Sequence, residues 1–328
     1  MCFLLLLIIY AEQTTELIAC SSDSIKRVLI TLLAYKIQRN HGDTLVDVMK
    51  EWLRHIYRVL NPKYQTVNLD YPVEAVPRYT SQTPHSQLLK LMQGGLDTYE
   101  KHLRSAVANQ GHFADLQAHL SKTDFKWRND YLPAWDGVML HTMIGLYKPT
   151  RYLEVGSGYS TLVCRQAIKD HNLDTRLTSI DPQPRASISG HSDQLINKRV
   201  ETIDLTIFSD LSPRDILFID NSHRLLPNSD VTVFFLDILP RLRSGVIVHI
   251  HDIYLPFDYP PEMCSRMYSE QYALAIALLS NPDKYEILMP SYFVSQHTSL
   301  SQILDPIWQL DTIESPENHG GSFWFSIR

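Results

Sequence analysis

The sequence predicts an α/β protein with a mostly parallel sheet. From residue 150 onward, short runs of apolar and β-branched residues alternate with segments of helical periodicity. Strands that alternate with helices form parallel sheets through right-handed crossovers, with helices on both faces. Little regular helix separates the last two predicted strands, so we expect the final strand to be antiparallel. The predicted strands are residues 151–155, 176–180, 200–204, 215–220, 245–251, 284–289 and 322–327.

A glycine turn follows the first predicted strand. Gly156 and Gly158 lack a Cβ, so the backbone there can take positive φ and let a ligand approach closely. Ser160 or Thr161 is expected to cap the helix that follows. The N–H groups at the start of that helix favour an anionic or carboxylate group. This segment therefore predicts a binding turn, with a plain structural turn as the alternative.

Asp181 ends the second predicted strand. At that position an acidic side chain can accept hydrogen bonds from both hydroxyls of a ribose. The order strand, glycine turn, helix, strand, acid within about thirty residues favours a nucleotide-shaped ligand. A dinucleotide fold usually has a third glycine where this chain has Thr161, which counts against NAD.

Four polar side chains follow the fourth and fifth predicted strands. Asp220 and His223 share one turn, and His251 and Asp252 end the next strand. Ligands bind at the carboxyl ends of strands in open α/β sheets, so we expect these side chains to converge on one site. Each could instead be a satisfied structural residue, as we predict for His249; the joint placement favours function for His223 and His251.

Composition limits the class of protein. The chain has 328 residues, of which 44% are hydrophobic and 20% charged, as in ordinary globular proteins. A net charge of −6 argues against a nucleic-acid-binding protein, because such proteins carry basic patches. Four widely spaced cysteines suggest neither a zinc site nor a disulfide framework, so we expect a reducing, cytoplasmic location. The apolar run at 2–10 is too short to span a bilayer and is predicted to be a buried helix rather than a signal.

The first part of the chain is predicted to be helical and separate from the sheet. Apolar spacing at 24–60 predicts two amphipathic helices, and four prolines at 61–86 predict an irregular connector. Trp127, Tyr131 and Trp135 are expected to be core rather than pocket roof, and Asp136 is expected to cap the next helix. The predicted division is a helical extension and connector at 1–85 and a larger domain at 86–328, with its sheet core at 150–328.

Several segments together resemble a class I S-adenosylmethionine-dependent methyltransferase, specifically the bacterial methyltransferase domain 24 group. The resemblance covers about residues 132–328. It implies a Rossmann-like, seven-stranded, mostly parallel sheet with an antiparallel last strand. The segments that carry it are Glu-Val-Gly-Ser-Gly at 154–158, Ser-Ile-Asp at 179–181, Leu-Phe-Ile-Asp-Asn-Ser-His at 217–223, Leu-Pro-Arg-Leu-Arg-Ser-Gly at 239–245, His-Ile-His-Asp at 249–252 and Gly-Gly-Ser-Phe-Trp-Phe at 320–325.

The resemblance also implies roles for particular residues. The cofactor would be S-adenosylmethionine, its ribose held by Asp181 and its adenine near residues 201–205. The turn after the first strand would border its methionine part. The residues expected at the cofactor are Glu154, Gly156, Ser157, Gly158, Ser160, Asp181 and Asp220.

Methyl transfer requires the acceptor to be positioned and its proton removed, and a neutral imidazole does this near neutral pH. We expect His223 to be the base, with His251 as second choice and Asp252 beside it. Related sugar and natural-product O-methyltransferases bind magnesium through an Asp-x-x-His and a following acidic pair. Here His251 replaces one acid, so Asp220, His251 and Asp252 are a candidate site for a softer divalent metal, or for none.

The sequence thus predicts methyl transfer to a small molecule, at a hydroxyl oxygen because of the histidine and carboxylate cluster. Two alternatives remain at this stage. One is a nicotinamide-dependent oxidoreductase on a similar sheet. The other is a non-catalytic interaction protein on a degenerate methyltransferase scaffold, against which the intact glycine turn and Asp181 argue.

Overall fold

The computed structural model describes residues 71–328 except 122, 124, 185–187, 189, 314–316 and 318, together with residues 53, 54, 56, 57, 61, 65, 67, 69 and 70. The helix predicted at 2–10 and most of the helices predicted at 24–60 lie outside the described residues. The chain divides into two compact units, Met1–Val73 and Glu74–Arg328, and the elements below belong to the second. The boundary at residue 85 stays a prediction. In the described part of the chain, no helix is both long and apolar enough to cross a membrane.

The second unit contains a seven-stranded sheet in the order β3-β2-β1-β4-β5-β7-β6. β7 lies between β5 and β6 and pairs antiparallel with both, while the other neighbours are parallel. The predicted fold class, including the antiparallel last strand, is confirmed. The strands are β1 Arg151–Val155, β2 Arg176–Ile180, β3 Gln194–Ile196, β4 Ile216–Ile219, β5 Ile247–Ile250, β6 Tyr285–Pro290 and β7 Phe323–Ile327.

Helices precede the sheet and connect its strands. Four of them lie between residue 86 and the first strand of the sheet. The helices are α1 Ser86–Gln93, α2 Leu96–Ala108, α3 Gln110–His119, α4 Ala134–Tyr147, α5 Tyr159–Asp170, α6 Thr206–Ser209, α7 Asp230–Val233, α8 Pro261–Ser265, α9 Glu270–Ser280, α10 Ser291–Gln296, α11 Thr298–Ser301 and α12 Asp305–Trp308.

The third predicted strand is wrong. Residues 200–204 contain a short 3-10 helix, Val200–Thr202, and the strand that pairs with β2 lies earlier, at Gln194–Ile196. β3 is an edge strand with a largely exposed sequence, Gln-Leu-Ile. An edge strand buries little surface and needs only one partner, so it carries no strong apolar pattern.

The core lies around the central strands. Every residue of β4 and β5 is buried, and α4 packs against α5 beside β1. A strand covered on both faces is a continuous apolar run, which explains why these two strands could be predicted from sequence. The carboxyl ends of β1, β2, β4 and β5 meet at one edge of the sheet, where the candidate site lies.

Candidate functional site

A cavity of about 650 Å³ lies at the carboxyl ends of the central strands. Turns after β1, β2, β4 and β5 line it, together with residues 130–132, 199–201 and 263–268. A cavity of this size holds a nucleoside-sized ligand with room for a second small molecule. Of the sequence-predicted site residues, those that line it are Gly156, Ser157, Gly158, Ser160, Asp181, Asp220, His223, His251 and Asp252.

The glycine turn depends on one of its two glycines. Gly156 has a φ of +86°, and a Cβ at this position would collide with the carbonyl oxygen of Asp220. Only glycine fits there, because it tolerates both the conformation and the close approach. Gly158 has a φ of 178°, which is extended backbone, so the expected positive φ at Gly158 is wrong.

Asp181 is tied to the same turn. Its Oδ2 accepts hydrogen bonds from the backbone N–H of Ser157 at 3.0 Å and from the Ser157 hydroxyl at 2.5 Å. Its Oδ1 accepts one from the backbone N–H of Gln183 at 2.7 Å. These bonds fix the carboxylate at the cavity wall. Oδ2 already accepts two donors, and Oδ1 keeps capacity for a further one.

Glu154 lies beneath the turn rather than in the cavity wall. The side chain is fully buried, and Oε1 accepts hydrogen bonds from the hydroxyls of Thr161 at 2.6 Å and Ser179 at 2.5 Å. Burial raises the pKa of Glu154 to about 8, against the lowering effect of these two hydrogen bonds. Glu154 therefore supports the turn from below.

The helix after the turn begins without the predicted cap. α5 starts at Tyr159, so Ser160 and Thr161 both lie inside its first turn, and Gly158 occupies the cap position. The hydroxyl of Thr161 instead accepts a hydrogen bond from the N–H of Gly158 at 3.0 Å. The start of α5 still faces the cavity, as expected for a helix that favours an anionic group.

His223 is the most constrained side chain in the cavity. It is buried, with a φ of 59°, an uncommon conformation for a residue other than glycine. Its Nε2 lies 3.3 Å from Oδ2 of Asp252 and 3.5 Å from Oδ1 of Asp220. Its Nδ1 lies 3.0 Å from Oε2 of Glu270, which is fully buried. Three carboxylates thus surround one imidazole.

Residues 268–270 hold this histidine in place. The ring of Tyr268 stacks on the His223 ring with centroids 4.8 Å apart and planes at 24°. The N–H groups of Ser269 and Glu270 donate to the carbonyl oxygen of His223 at 2.8 and 3.2 Å. Glu270 also accepts a hydrogen bond from the Nδ1–H group of His223. This bond orients the ring so that its Nε2 atom faces the cavity.

His251 is also surrounded by carboxylates. Its Nδ1 is 3.6 Å from Oδ1 of Asp220 and 3.7 Å from Oδ1 of Asp252, and its Nε2 is 3.5 Å from Oδ2 of Asp136. Asp136 is fully buried and accepts hydrogen bonds from the N–H groups of Gly321 and Ser322 at 2.6 and 3.2 Å. Two histidines therefore share Asp220 and Asp252.

These contacts set the charge of both imidazoles. Burial by itself lowers the pKa of His223, but Glu270, Asp252 and Asp220 raise it by more, so the pKa lies above its usual value. Burial likewise lowers the pKa of His251, and Asp252, Asp136 and Asp220 together raise it well above its usual value. The expected neutral imidazole near neutral pH is therefore not the state that this cavity favours.

The candidate metal site does not have ligand geometry. Among the residues that the structure describes, no group of three or more His, Cys, Asp or Glu side chains is arranged to hold a metal ion. Asp220, His251 and Asp252 are instead spaced as ion pairs. No step below passes through a metal.

Two residues of this site were missed by sequence reasoning. Asp136 was predicted to be a helix cap, but α4 begins at Ala134, so Asp136 lies within its first turn and points at His251. Glu270 was not among the predicted site residues. An acidic residue inside an apolar helical stretch was the available signal for both, since carboxylates are seldom fully buried unless paired.

Other predicted residues are structural. His249 is fully buried, with its Nε2 2.7 Å from the Ser322 hydroxyl and its ring stacked 3.8 Å from Trp324. Trp127 and Trp135 lie in the core, while Tyr131 lines the cavity. The loop at 253–262 packs on α9 through Gln271, and the cavity wall comes from residues 263–268 just after it.

One family model matches part of the chain. Residues 153–253 match the family model described as a methyltransferase domain. This match confirms the resemblance to class I S-adenosylmethionine-dependent methyltransferases over the segment from β1 to the end of β5, and the sheet order agrees with it. No curated protein matches the chain at a significant level.

Solved structures resemble the chain at low identity. SAH-bound methyltransferase PaMTH1 of Podospora anserina is 16% identical, with 58% of this chain and 77% of that chain covered and a TM-score of 0.38. A putative methyltransferase of Thermobifida fusca is 12% identical, with 58% and 77% covered and a TM-score of 0.35. An O-methyltransferase of Bacillus cereus in complex with SAH is 15% identical, with 71% and 91% covered and a TM-score of 0.34.

Proposed function

We propose that this chain transfers a methyl group from S-adenosylmethionine to a hydroxyl oxygen of a small molecule. The observation that carries the proposal is the position of His223. Its Nε2 lies at a cavity that the Gly156 turn and Asp181 also line, and its Nδ1 is held by a buried carboxylate. This arrangement combines a nucleotide-type binding turn with an oriented proton acceptor.

We assign the part of the cavity at the carboxyl ends of β1 and β2 to S-adenosylmethionine. Oδ1 of Asp181 can accept a ribose hydroxyl in addition to its present donor. The start of α5 and the turn at Gly156 suit the amino-acid part of S-adenosylmethionine, and residues 199–201 suit the adenine. The bound cofactor supplies a methyl group on a positively charged sulfur.

We assign the part of the cavity at the carboxyl ends of β4 and β5 to the methyl acceptor. The acceptor oxygen forms a bond to the methyl carbon while the carbon–sulfur bond breaks, its electron pair staying on sulfur. The hydroxyl proton passes to the neutral form of His223 at Nε2. Asp220 and Asp252, within 3.5 Å of Nε2, stabilise the imidazolium that results. His251, held by Asp136, keeps these two carboxylates in position.

The charge of the cavity has a consequence for activity. Because the surrounding carboxylates raise the pKa of His223, its neutral form grows as the pH rises through that pKa. Methyl transfer should therefore increase with pH over the same range. A cation in the cavity disfavours the imidazolium form, so cofactor binding should lower the pKa of His223 toward the neutral range.

The experiment that tests the function begins with the cofactor. Protein purified without added ligand is analysed by mass spectrometry for bound S-adenosylmethionine or S-adenosylhomocysteine, and isothermal titration compares both with NAD. We expect S-adenosylmethionine to bind and NAD not to bind. Tight NAD binding without an S-adenosylmethionine signal would contradict the proposal and favour an oxidoreductase.

A further inference from the structure

One wall of the acceptor end carries an arginine. Met263, Arg266 and Tyr268 line the cavity on the side of β4 and β5, beyond the turn at Gly156. Tyr268 is the residue whose ring stacks on His223. The guanidinium carbon of Arg266 lies 4.7 Å from the centroid of the same Tyr268 ring. Arg266 and the proposed base therefore contact one aromatic ring.

The surroundings of Arg266 are held by a second arginine. The guanidinium of Arg224 also lies over the Tyr268 ring, at 5.0 Å. Its Nε donates to the carbonyl oxygen of Arg266 at 2.9 Å, and its Nη1 donates to the carbonyl oxygen of Ser222 at 2.8 Å. Arg224 thus directs two of its donors to the backbone and supports the backbone at Arg266.

Arg266 differs from the paired arginines elsewhere in the chain. Among the described residues, no carboxylate lies within ion-pair distance of its guanidinium, and its side chain is exposed at the cavity. By contrast, Arg165 pairs with Asp193 at 2.9 Å. The absence of a partner is informative because the cavity is rich in acids. These are Asp130, Asp181, Glu201, Asp220, Asp230 and Asp252.

A guanidinium that stacks on an aromatic ring keeps its N–H donors in a fixed planar fork. That fork matches a carboxylate or a phosphate, which accepts two parallel hydrogen bonds. Tyr268 contacts both the guanidinium of Arg266 and the imidazole of His223, so an anion at Arg266 and a hydroxyl at His223 would lie around the same aromatic ring. A small hydroxylated acid carries both groups.

We propose that the methyl acceptor is an anion, a hydroxylated small molecule whose carboxylate or phosphate group binds to Arg266 while its hydroxyl lies at His223. This inference rests on the proposed function, since it names the substrate class of the same site. Arg266 would then fix the orientation of the acceptor, and the acidic cavity would disfavour anions that do not reach it.

The test uses matched acceptors with labelled S-adenosylmethionine. The panel contains hydroxybenzoates, hydroxyphenyl phosphates and the neutral hydroxybenzamides of the same ring positions. Each is assayed with the full-length protein, with Arg266→Gln and with Arg266→Lys. Arg241→Gln, which removes an exposed arginine outside the cavity, serves as the control for charge alone. Titration of S-adenosylmethionine into every variant separates cofactor binding from acceptor binding.

We expect the anionic members to be methylated in preference to the amides. Arg266→Gln should raise KM for the anions about tenfold or more with kcat little changed, since it removes a binding contact. Arg266→Lys should recover part of the loss, and Arg241→Gln should change nothing. Whether carboxylates or phosphates react faster identifies the anion.

Three results overturn the inference. These are equal methylation of anions and amides, an unchanged KM in Arg266→Gln, and a panel in which no anion reacts although S-adenosylmethionine binds. A protein that binds no S-adenosylmethionine at all refutes the proposed function instead, and the inference with it.

Discussion

Two groups of histidines in this chain, one buried and one partly buried, have opposite electrostatics. The cavity pair, His223 and His251, faces four carboxylates. A second group, here called the helix cluster, lies where α3, α4 and the end of α5 meet, with ring centroids 5.0–5.3 Å apart and Asp170 as the carboxylate within ion-pair distance. The helix cluster consists of His112, His141 and His171.

Desolvation lowers the histidine pKa in both groups, and the carboxylates make the difference. In the helix cluster, burial together with the neighbouring His141 and His112 lowers the pKa of His171 to about 4, against the raising effect of Asp170. In the cavity the carboxylates outweigh burial, and the pKa of His223 is raised. A buried histidine therefore marks a candidate site when several carboxylates face it, and a packing position when they do not.

The largest expected effect separates the two groups by activity. His223→Ala should lower turnover about a hundredfold or more, because the proposed proton acceptor is lost, while S-adenosylmethionine affinity stays nearly constant. The matched substitution His171→Ala, in the helix cluster, should leave turnover per folded molecule unchanged. Steady-state kinetics with titrated cofactor binding checks both. Wild-type turnover in His223→Ala would move the base role elsewhere.

The next effect concerns the cofactor end of the cavity. Asp181→Ala should weaken S-adenosylmethionine binding by about 1–3 kcal/mol, since it removes acceptors for the ribose hydroxyls. Isothermal titration measures the change, and Asp193→Ala, which removes a partly exposed carboxylate outside the cavity, is the control. Unchanged affinity in Asp181→Ala would remove the ribose assignment without affecting the histidine comparison.

A smaller effect is expected from Glu270→Gln. The amide no longer raises the pKa of His223 by its charge, so the rise of kcat with pH should shift to lower pH. The imidazole is also less firmly oriented, and maximal turnover should fall about tenfold. Glu270→Asp should partly restore the wild-type profile. A profile at the wild-type position with reduced stability alone would make Glu270 a packing residue.

The smallest effect is on stability, and it has opposite signs in the two groups. His171 has a lowered folded pKa, so its contribution is present above the unfolded value of about 6.5 and is lost as the pH falls toward about 4. His223 has a raised folded pKa, so its contribution is present below about 6.5 and is lost as the pH rises through the folded value. Urea unfolding from pH 4 to 9 checks this.

The control is His171→Gln. It should flatten the loss of stability between pH 6.5 and 4 and leave the alkaline side as in the wild type. If the free energy of unfolding of the wild type does not fall between pH 6.5 and 4, His171 is not held in its neutral form.

The sequence could predict features formed by residues that are close together in the chain. β1, the turn at Gly156 and Asp181 follow one another within a short segment, and a backbone that only glycine can adopt is visible from residue type. The mostly parallel sheet followed from the alternation of strands and helices, and the antiparallel last strand followed from the scarcity of helix before β7. β3 was misplaced because an edge strand with little burial leaves a weak pattern.

The partners of the histidines could not be predicted in the same way. Glu270 is 47 residues from His223 in the chain, and Asp136 reaches His251 from a helix that precedes the sheet. Which buried carboxylate meets which imidazole depends on how α4 and α9 pack against the sheet. The pKa of each histidine depends on those contacts, so its charge could not be read from spacing.

The most direct test of the account is nitrogen-15 NMR of the imidazole rings as a function of pH. The protein is labelled at histidine, and His223→Ala and His171→Gln variants assign the two signals. We expect the pKa of His223 to lie above that of an ordinary histidine and the pKa of His171 to lie well below it. A His223 pKa at or below the ordinary value in the ligand-free protein would contradict the carboxylate cluster as the feature that sets its charge.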